Sequence, residues 1–363
     1  MKHVFLIVIL SSIISGCTRS HIAQYHSSPA VFTGIQNSTL TDISTEFRSI
    51  FCEVLDHSDI KRGSCNELFY PYESELNSSS IDFSWKQTQS LKNDLLIVLV
   101  PGIFGECLIK EVPPFEKAIE VVAERLGVRT ITLDKISGRA SSEYNAKIIA
   151  QAIQNISIKN NEKIVLVGYS KGVTDSLFYL NNQLSSDTKF NKISAFVSIT
   201  GVVNGTIIAD KVGGAGDKIA SALPLDGCPT KDQSGIPSLS VKQRMNWMEN
   251  HPEIFQTNIP MFTVAAAATP PKMSAIFVPF ETILNKNAGP NDGQVNVVNQ
   301  MLPYSYFLGV LHADHWAVIL PFSDKENSDL TFLNKIVRKM ATRNEFPREV
   351  LLESIIRTVD LKI

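Results

Sequence analysis

A serine lies between two glycines in residues 168–172, which read GYSKG and match the pattern G-x-S-x-G. The apolar run KIVLV at 163–167 comes directly before it, and a segment with apolar residues at helical spacing, 173–182, comes directly after it. A sharp turn between a strand and a helix exposes the serine hydroxyl, and the helix N-terminus favours negative charge that develops beside it. This context predicts that Ser170 is a nucleophile.

A serine attacks a carbonyl only when a base takes its proton, and in this arrangement the acid and the histidine follow the serine along the chain. The turn-forming sequence PNDGQV at 290–295 supplies Asp292, and only His312 and His315 lie beyond it. His312 ends an apolar run, whereas His315 ends the turn ADH that follows. We predict His315 as the general base, with His312 as the alternative, and Asp292 as the acid that orients the base. Asp314 is interpreted as a turn or capping residue.

Two N–H groups must point at the tetrahedral intermediate of an acyl transfer. One is expected from Lys171, the residue after the nucleophile. The other is expected from the loop PGIFGEC at 101–107, in which Gly102 allows the backbone to approach the substrate. Ile103 is the predicted donor in this loop, and Phe104 is the alternative.

Apolar runs alternate with segments of helical spacing from residue 94 onward, as in parallel sheets that are covered by helices on both faces. The predicted strands are 95–100, 129–133, 163–167, 193–199, 260–267 and 304–311. The predicted helices are 45–55, 115–126, 141–153, 173–182, 330–340 and 349–358. Two stretches, 201–258 and 270–287, are longer than the connections between strands that such a sheet needs. Long insertions at its carboxyl edge border the binding crevice, so 201–258 is interpreted as a cap, with an inert surface excursion as the alternative.

Residues 1–17 read MKHVFLIVILSSIISGC, a short positive region and an apolar stretch that ends at Cys17. The stretch is shorter than the roughly 20 apolar residues that a membrane-spanning helix needs, and it has the length of a signal peptide. Its end resembles the lipobox of bacterial lipoproteins. The resemblance implies cleavage before Cys17, acylation of Cys17, and anchoring in a membrane of the cell envelope, with Thr18 favouring the outer membrane. A simple signal peptide with an incidental cysteine is the alternative.

Four further cysteines remain in the exported chain, and an even number suggests two disulfides. Cys52 and Cys65 enclose a short loop and are the preferred pair. The remaining pair, Cys107 and Cys228, would clamp the predicted oxyanion loop to the insertion. Buried free thiols are the alternative.

The composition excludes several classes of protein. The chain of 363 residues has 34 Lys and Arg against 36 Asp and Glu, 44% hydrophobic residues and 19% charged residues. These values are typical of a globular protein and argue against a polytopic membrane protein, a disordered chain or a nucleic-acid binder. No Cys or His spacing indicates a metal site, and the predicted chemistry requires no cofactor.

The loop PGIFGE, the turn GYSKG, PNDGQV and ADHWAV occur in the order found in the α/β-hydrolase superfamily, and the chain resembles its bacterial lipase- and esterase-like members over 94–345. The resemblance implies a mostly parallel central sheet with helices on both faces and a cap-like insertion. It also implies hydrolysis of carboxylic esters or thioesters through an acyl-enzyme, with Ser170, His315 and Asp292 as the triad. Lys171 departs from the small residue or Met of many lipases, which argues against a true triacylglycerol lipase.

The predicted organisation is a lipoprotein signal at 1–16, a tether at 17–40, an N-terminal subdomain or wrap at 41–93, and the α/β-hydrolase domain at 94–363. The expected partners are a small-molecule or lipid ester substrate and the membrane. A non-catalytic envelope lipoprotein that uses the fold as a binding module and an acyltransferase with the same triad are the alternative functions. Acyl-chain length and oligomeric state stay open at this point.

Overall fold

The continuous apolar runs of the sequence form one sheet. The structure, a computed structural model, describes residues 39–60, 62–70, 90–103, 112–184, 193–212, 234–321 and 345–363. The strands are β1 (Thr41–Asp42), β2 (Leu95–Val100), β3 (Arg129–Thr132), β4 (Lys163–Tyr169), β5 (Ile193–Ile199), β6 (Met261–Ala267) and β7 (Tyr306–His312). Their order is β1-β7-β6-β5-β4-β2-β3, and each neighbouring pair is parallel.

The strand order reverses direction between β2 and β4. From β2 the chain goes first to β3 on one side and then across to β4, β5, β6 and β7 on the other. Ligands bind at such a switch point, outside the carboxyl ends of the strands. The loop after β2 and the serine after β4 therefore face the same crevice.

Helices cover both faces of the sheet. They are α1 (Ser44–Asp56), α2 (Glu116–Leu126), α3 (Ser142–Asn155), α4 (Lys171–Gln183), α5 (Ile207–Val212), α6 (Val241–Asn250), α7 (Val278–Ala288), α8 (Val297–Gln300) and α9 (Arg348–Lys362). Side chains alternate between the faces of a strand. In β2 the odd-numbered residues pack in one core cluster with α1, α2 and α9, and the even-numbered residues pack in another with α3 and α4. The predicted fold class is confirmed, and within the part of the chain that the structure describes every strand is parallel.

The insertion at 201–258 is described at its two ends. They contain α5, α6 and a 3-10 turn at Pro237–Leu239, which contact one another. The predicted helix at 330–340 lies outside the described residues.

The described parts of 41–93 pack on the sheet. Helix α1 contacts α9 and β7, and β1 forms the edge strand beside β7. A disulfide joins Cys52 to Cys65, 13 residues apart. Cys17, Cys107 and Cys228 lie outside the described residues. Among the helices that the structure does describe, none has both the length and the apolar character that a membrane crossing requires.

Candidate active site

Ser170 occupies a sharp turn between β4 and α4. It is the single residue between the two elements, and its backbone has φ 55° and ψ −123°, a strained region for a residue with a Cβ. A Cβ at Gly168 would lie 2.8 Å from Val173 Cα, so glycine is required where the chain turns back on itself. The turn holds the Ser170 side chain above the carboxyl end of the sheet.

Three of the predicted site residues meet at this turn. His315 Nε2 lies 2.8 Å from Ser170 Oγ, and His315 Nδ1 lies 2.6 Å from Asp292 Oδ2. All three side chains are buried. An imidazole between a hydroxyl and a carboxylate can accept the hydroxyl proton at Nε2 while the carboxylate holds the Nδ1 proton.

The Asp292 carboxylate is held by four donors. Oδ1 accepts the backbone N–H groups of Gln294 and Val295 at 2.9 and 2.7 Å. Oδ2 accepts the Gln300 side-chain amide at 3.2 Å in addition to His315. Hydrogen bonds of this kind stabilise the ionised carboxylate.

Gln300 is a site residue that sequence reasoning missed. Its side chain is fully buried, and its amide oxygen accepts Ala266 N–H at 2.8 Å while its amide nitrogen lies 3.0 Å from Ala266 O. It therefore links Asp292 to the end of β6. Gln300 lies eight residues after Asp292, and no motif in the sequence marks it as a site residue.

The backbone around His315 is fixed on both sides. His315 N–H donates to Asp292 O at 2.9 Å, and the Tyr169 hydroxyl donates to His315 O at 2.7 Å. Burial raises the pKa of Tyr169 well above its usual value, so this hydroxyl keeps its proton. The neighbouring Asp314 accepts the N–H groups of Ser274, Trp316 and Ala317, which agrees with its interpretation as a turn residue.

His312, the alternative base, points elsewhere. Its ring nitrogens lie 3.3 Å from Glu67 O and 3.5 Å from Thr269 Oγ1, and its ring meets Tyr70 edge-on. Burial lowers its pKa, and the nearby Lys272 acts in the same direction. The structure brings His315, and not His312, to Ser170.

The two predicted oxyanion donors belong to the segments on either side of the cavity floor: Lys171 follows Ser170 directly, and Ile103 lies in the loop after β2. Lys171 opens α4, where N–H groups have no acceptor within the helix. Gly102 lies directly against Ser170, since a Cβ on it would be 2.8 Å from Ser170 Cβ. Ile103 follows Gly102 and packs beside the crevice, while Phe104 lies outside the described residues.

The Lys171 side chain turns away from the crevice into the protein. It is fully buried and forms an ion pair with Asp175, with Nζ–O distances of 2.7 and 2.9 Å. Burial raises the pKa of Asp175, and the charge of Lys171 opposes that rise. Sequence reasoning used only the backbone of Lys171 and missed this pair.

A cavity of about 240 Å³ opens above Ser170 and His315. Its described lining contains no Asp, Glu, Lys or Arg and is mainly apolar, with contributions from Ile103, Val202, Ile208, Ala209, Ile236, Leu239, Phe277, Phe280, Val295, Trp316 and Leu320. A nucleophile at the floor of an apolar cavity can react with an ester whose acyl chain fills the cavity. Across the described residues, no three or more His, Cys, Asp or Glu side chains are grouped so that they could hold a metal ion.

Comparisons with known proteins place this fold. No protein-family model and no curated protein matches the chain. A metagenomic carboxyl esterase of known structure is similar over 98% of this chain and 99% of its own, with 26% identity and a TM-score of 0.77. A Bacillus licheniformis lipase in its propeptide form matches 61% of this chain and 46% of its own, with 22% identity and a TM-score of 0.50, a likeness of fold. The chain therefore has the α/β-hydrolase fold that these esterase and lipase structures share.

Proposed function

We propose that this protein hydrolyses uncharged carboxylic esters or thioesters through an acyl-enzyme, and that a lipid on Cys17 anchors it to a bacterial membrane. The observation that carries the catalytic part is the distance of 2.8 Å between His315 Nε2 and Ser170 Oγ at the floor of an apolar cavity. The carboxyl esterase that resembles this chain over its whole length supports the same reaction class.

In the first half of the reaction Ser170 Oγ attacks the ester carbonyl while His315 Nε2 takes its proton. The bond from carbon to the leaving oxygen then breaks, and His315 gives the proton to the alcohol. Asp292 keeps the imidazole in the required tautomer and stabilises its charged form. The N–H groups of Lys171 and Ile103 are the proposed donors to the oxyanion.

In the second half a water molecule replaces the alcohol. His315 removes a proton from the water, the hydroxide attacks the acyl carbon, and the carboxylic acid leaves as Ser170 recovers its proton. The described part of the lining has no charged side chain and disfavours a charged acyl group, because burying an unpaired ion is costly. The substrate is therefore an ester with an apolar acyl chain.

The test uses a fluorophosphonate probe on the protein and on Ser170→Ala, together with ester hydrolysis. We expect the variant to lose labelling and to lose at least about a thousandfold in kcat, as triad serines do. Ser176→Ala is the matched control, since Ser176 is a buried serine of the same helix that donates to Gly172 O. Labelling that persists in Ser170→Ala, or a folded parent that neither labels nor hydrolyses any ester, would overturn the proposal.

The anchor has its own test. Expression of the full chain in a bacterial host should yield a membrane-bound protein whose N-terminal peptide begins at an acylated Cys17. Cys17→Ala should not be acylated, and after removal of the signal it should leave the membrane fraction. An N-terminal peptide of the parent protein that carries no lipid would show the anchor to be wrong without bearing on the triad.

A further inference from the structure

One wall of the cavity is tied to a distant side chain by a chain of hydrogen bonds. We propose that Asn145 is a positioning residue that sets the acyl-chain selectivity of the enzyme, although it does not line the cavity. This inference rests on the proposed function. It concerns Asn145, the loop at 137–139, and the wall segment, defined here as 235–239.

Asn145 holds the loop that follows β3. Its Oδ1 accepts Ser137 N–H at 3.1 Å, and its Nδ2 donates to Ser137 O at 2.8 Å. Both backbone groups of Ser137 are thus bound by one side chain, which is fully buried. The position of this loop therefore depends on the position of the Asn145 amide.

The Asn145 amide is in turn held by the buried ion pair behind the nucleophile. Nδ2 also lies 2.7 Å from Asp175 Oδ2, and Asp175 accepts two contacts from Lys171 Nζ. An amide bonded to a buried carboxylate has little freedom, because any move away from it gives up a hydrogen bond to a charged group in the interior. The loop is therefore anchored to the helix that begins immediately after Ser170.

The loop holds the wall segment by direct contact between backbones. Gly235 N–H donates to Arg139 O at 2.7 Å. A Cβ at Gly235 would lie 2.6 Å from the same oxygen, so only glycine allows this approach. The other end of the wall segment is fixed separately, because Thr206 N–H donates to Leu239 O at 2.9 Å.

The wall segment supplies Ile236 and Leu239 to the cavity, where they pack in one cluster with Ile103 and Val202. A shift of the wall changes the apolar surface that an acyl chain can bury, while Ser170, His315 and Asp292 keep their own contacts. Apolar contact adds affinity with each methylene group. Loss of the anchor should therefore weaken long acyl chains more than short ones.

The experiment compares Asn145→Ala and Gly235→Ala with the parent on nitrophenyl esters from acetate to decanoate. The two variants break the same path at different points. We expect each to lower the ratio of kcat/KM for octanoate over acetate by about fivefold or more, mainly through KM, and we expect Asn145→Ala to leave kcat for acetate within about twofold. A common change of preference from two separate sites is a result that general destabilisation does not produce.

Asn93→Ala is the matched control. Asn93 also donates its amide to a buried aspartate, Asp360 at 2.8 Å, but it precedes β2 at the amino end of the sheet. It should lower stability without changing the chain-length preference. Equal losses on every ester in the two test variants, or the same change of preference in Asn93→Ala, would overturn the inference.

A measurement without turnover separates this inference from the proposed function. Trp316 lines the cavity, so its fluorescence should report the binding of alkyl alcohols with four to ten carbons. If the folded parent hydrolyses no ester, the proposed function is wrong. In that case weaker binding of the long alcohols in both variants would still support the wall contact, and unchanged binding would refute it.

Discussion

Gln300 lies outside the proposed triad and donates a hydrogen bond to its acid. Its amide joins the Asp292 carboxylate to the backbone of Ala266 in β6 and so fixes the acid loop to the sheet. The second oxygen of Asp292 has two side-chain donors, Gln300 and His315. When Gln300 is removed, Oδ2 keeps only His315 as a donor, while Oδ1 keeps its two backbone donors.

Gln300→Leu should lower kcat by about tenfold with little change in KM, since a hydrogen bond to a charged group contributes roughly 1.5–3 kcal/mol. The reason is that Asp292 then orients His315 less well, and this matters most when the imidazole becomes charged. Steady-state kinetics on a short ester measure the effect. Gln243→Leu, at an exposed position of α6, is the control. An unchanged kcat in Gln300→Leu would show that the backbone N–H groups of Gln294 and Val295 are enough to hold Asp292 in place.

At this scale the three residues of the proposed triad could be selected from the sequence, because chain order leaves few candidates. Asp292 lies in a turn signal, and two histidines follow it. The structure brings Asp292 and His315 to Ser170. The role of Gln300 could not be predicted. Its side chain binds the backbone N–H and C=O of Ala266, and nothing in the sequence shows which backbone groups of β6 a side chain will bind.

At the scale of the element, α4 is anchored at its first turn by a charged pair four residues apart. Lys171 and Asp175 are both fully buried. A buried ion pair adds little net stability, but the loss of one partner leaves an uncompensated charge in the interior.

Lys171→Met should therefore destabilise the protein by about 3 kcal/mol, whereas the double variant Lys171→Met with Asp175→Asn, which removes the charge and keeps an acceptor for the Asn145 amide, should recover most of that loss. Urea denaturation followed by tryptophan fluorescence measures both free energies of unfolding. Lys362→Met serves for comparison: its partner is Glu46, the pair is partly exposed, and its loss should cost less than about 1 kcal/mol. A double variant no more stable than the single one would contradict the expectation.

Element types could be predicted where the period of apolar residues is unambiguous. The continuous run at Leu95–Val100 became β2, and the helical spacing near 349–358 became part of α9. The boundaries at the elbow differ, since β4 continues to Tyr169 and α4 begins at Lys171, two residues earlier than expected. Lysine side chains normally lie at the surface, so Lys171 was not counted among the apolar positions that predicted the start of α4.

At the scale of the whole molecule, the N-terminal residues complete the core on one face of the sheet. Helix α1 packs against α9, and the disulfide between Cys52 and Cys65 ties α1 to the turn that follows it. The strand order, which puts β1 beside β7, could not be predicted, because apolar periodicity specifies strands and not their neighbours.

Replacement of both Cys52 and Cys65 by Ala should lower Tm and leave kcat unchanged. Closure of a loop of this length is worth about 3 kcal/mol in the chain-entropy account. The disulfide joins α1 to the turn at Cys65–Leu68, and that turn contacts His312 and not His315, so its loss leaves the contacts of Ser170, Asp292 and His315 in place. Thermal unfolding and ester kinetics of the double variant, and of the parent under reducing conditions, provide the measurement. A fall in kcat at a temperature where the variant is fully folded would show that the disulfide supports the site.

The pairing of β1 with β7 has a consequence for how the chain reaches this structure. Tyr304 N–H meets Thr39 Oγ1 across 265 residues, and Lys362 Nζ meets Glu46 across 316. Contacts so distant in sequence are slow to form, because the intervening chain must first be brought together at an entropic cost. Among the described strands β1 is the earliest, and its described neighbour β7 is synthesised last. A nascent chain cannot close this edge while it is still emerging, so it leaves the ribosome with its first strand unpaired and its first helix uncovered.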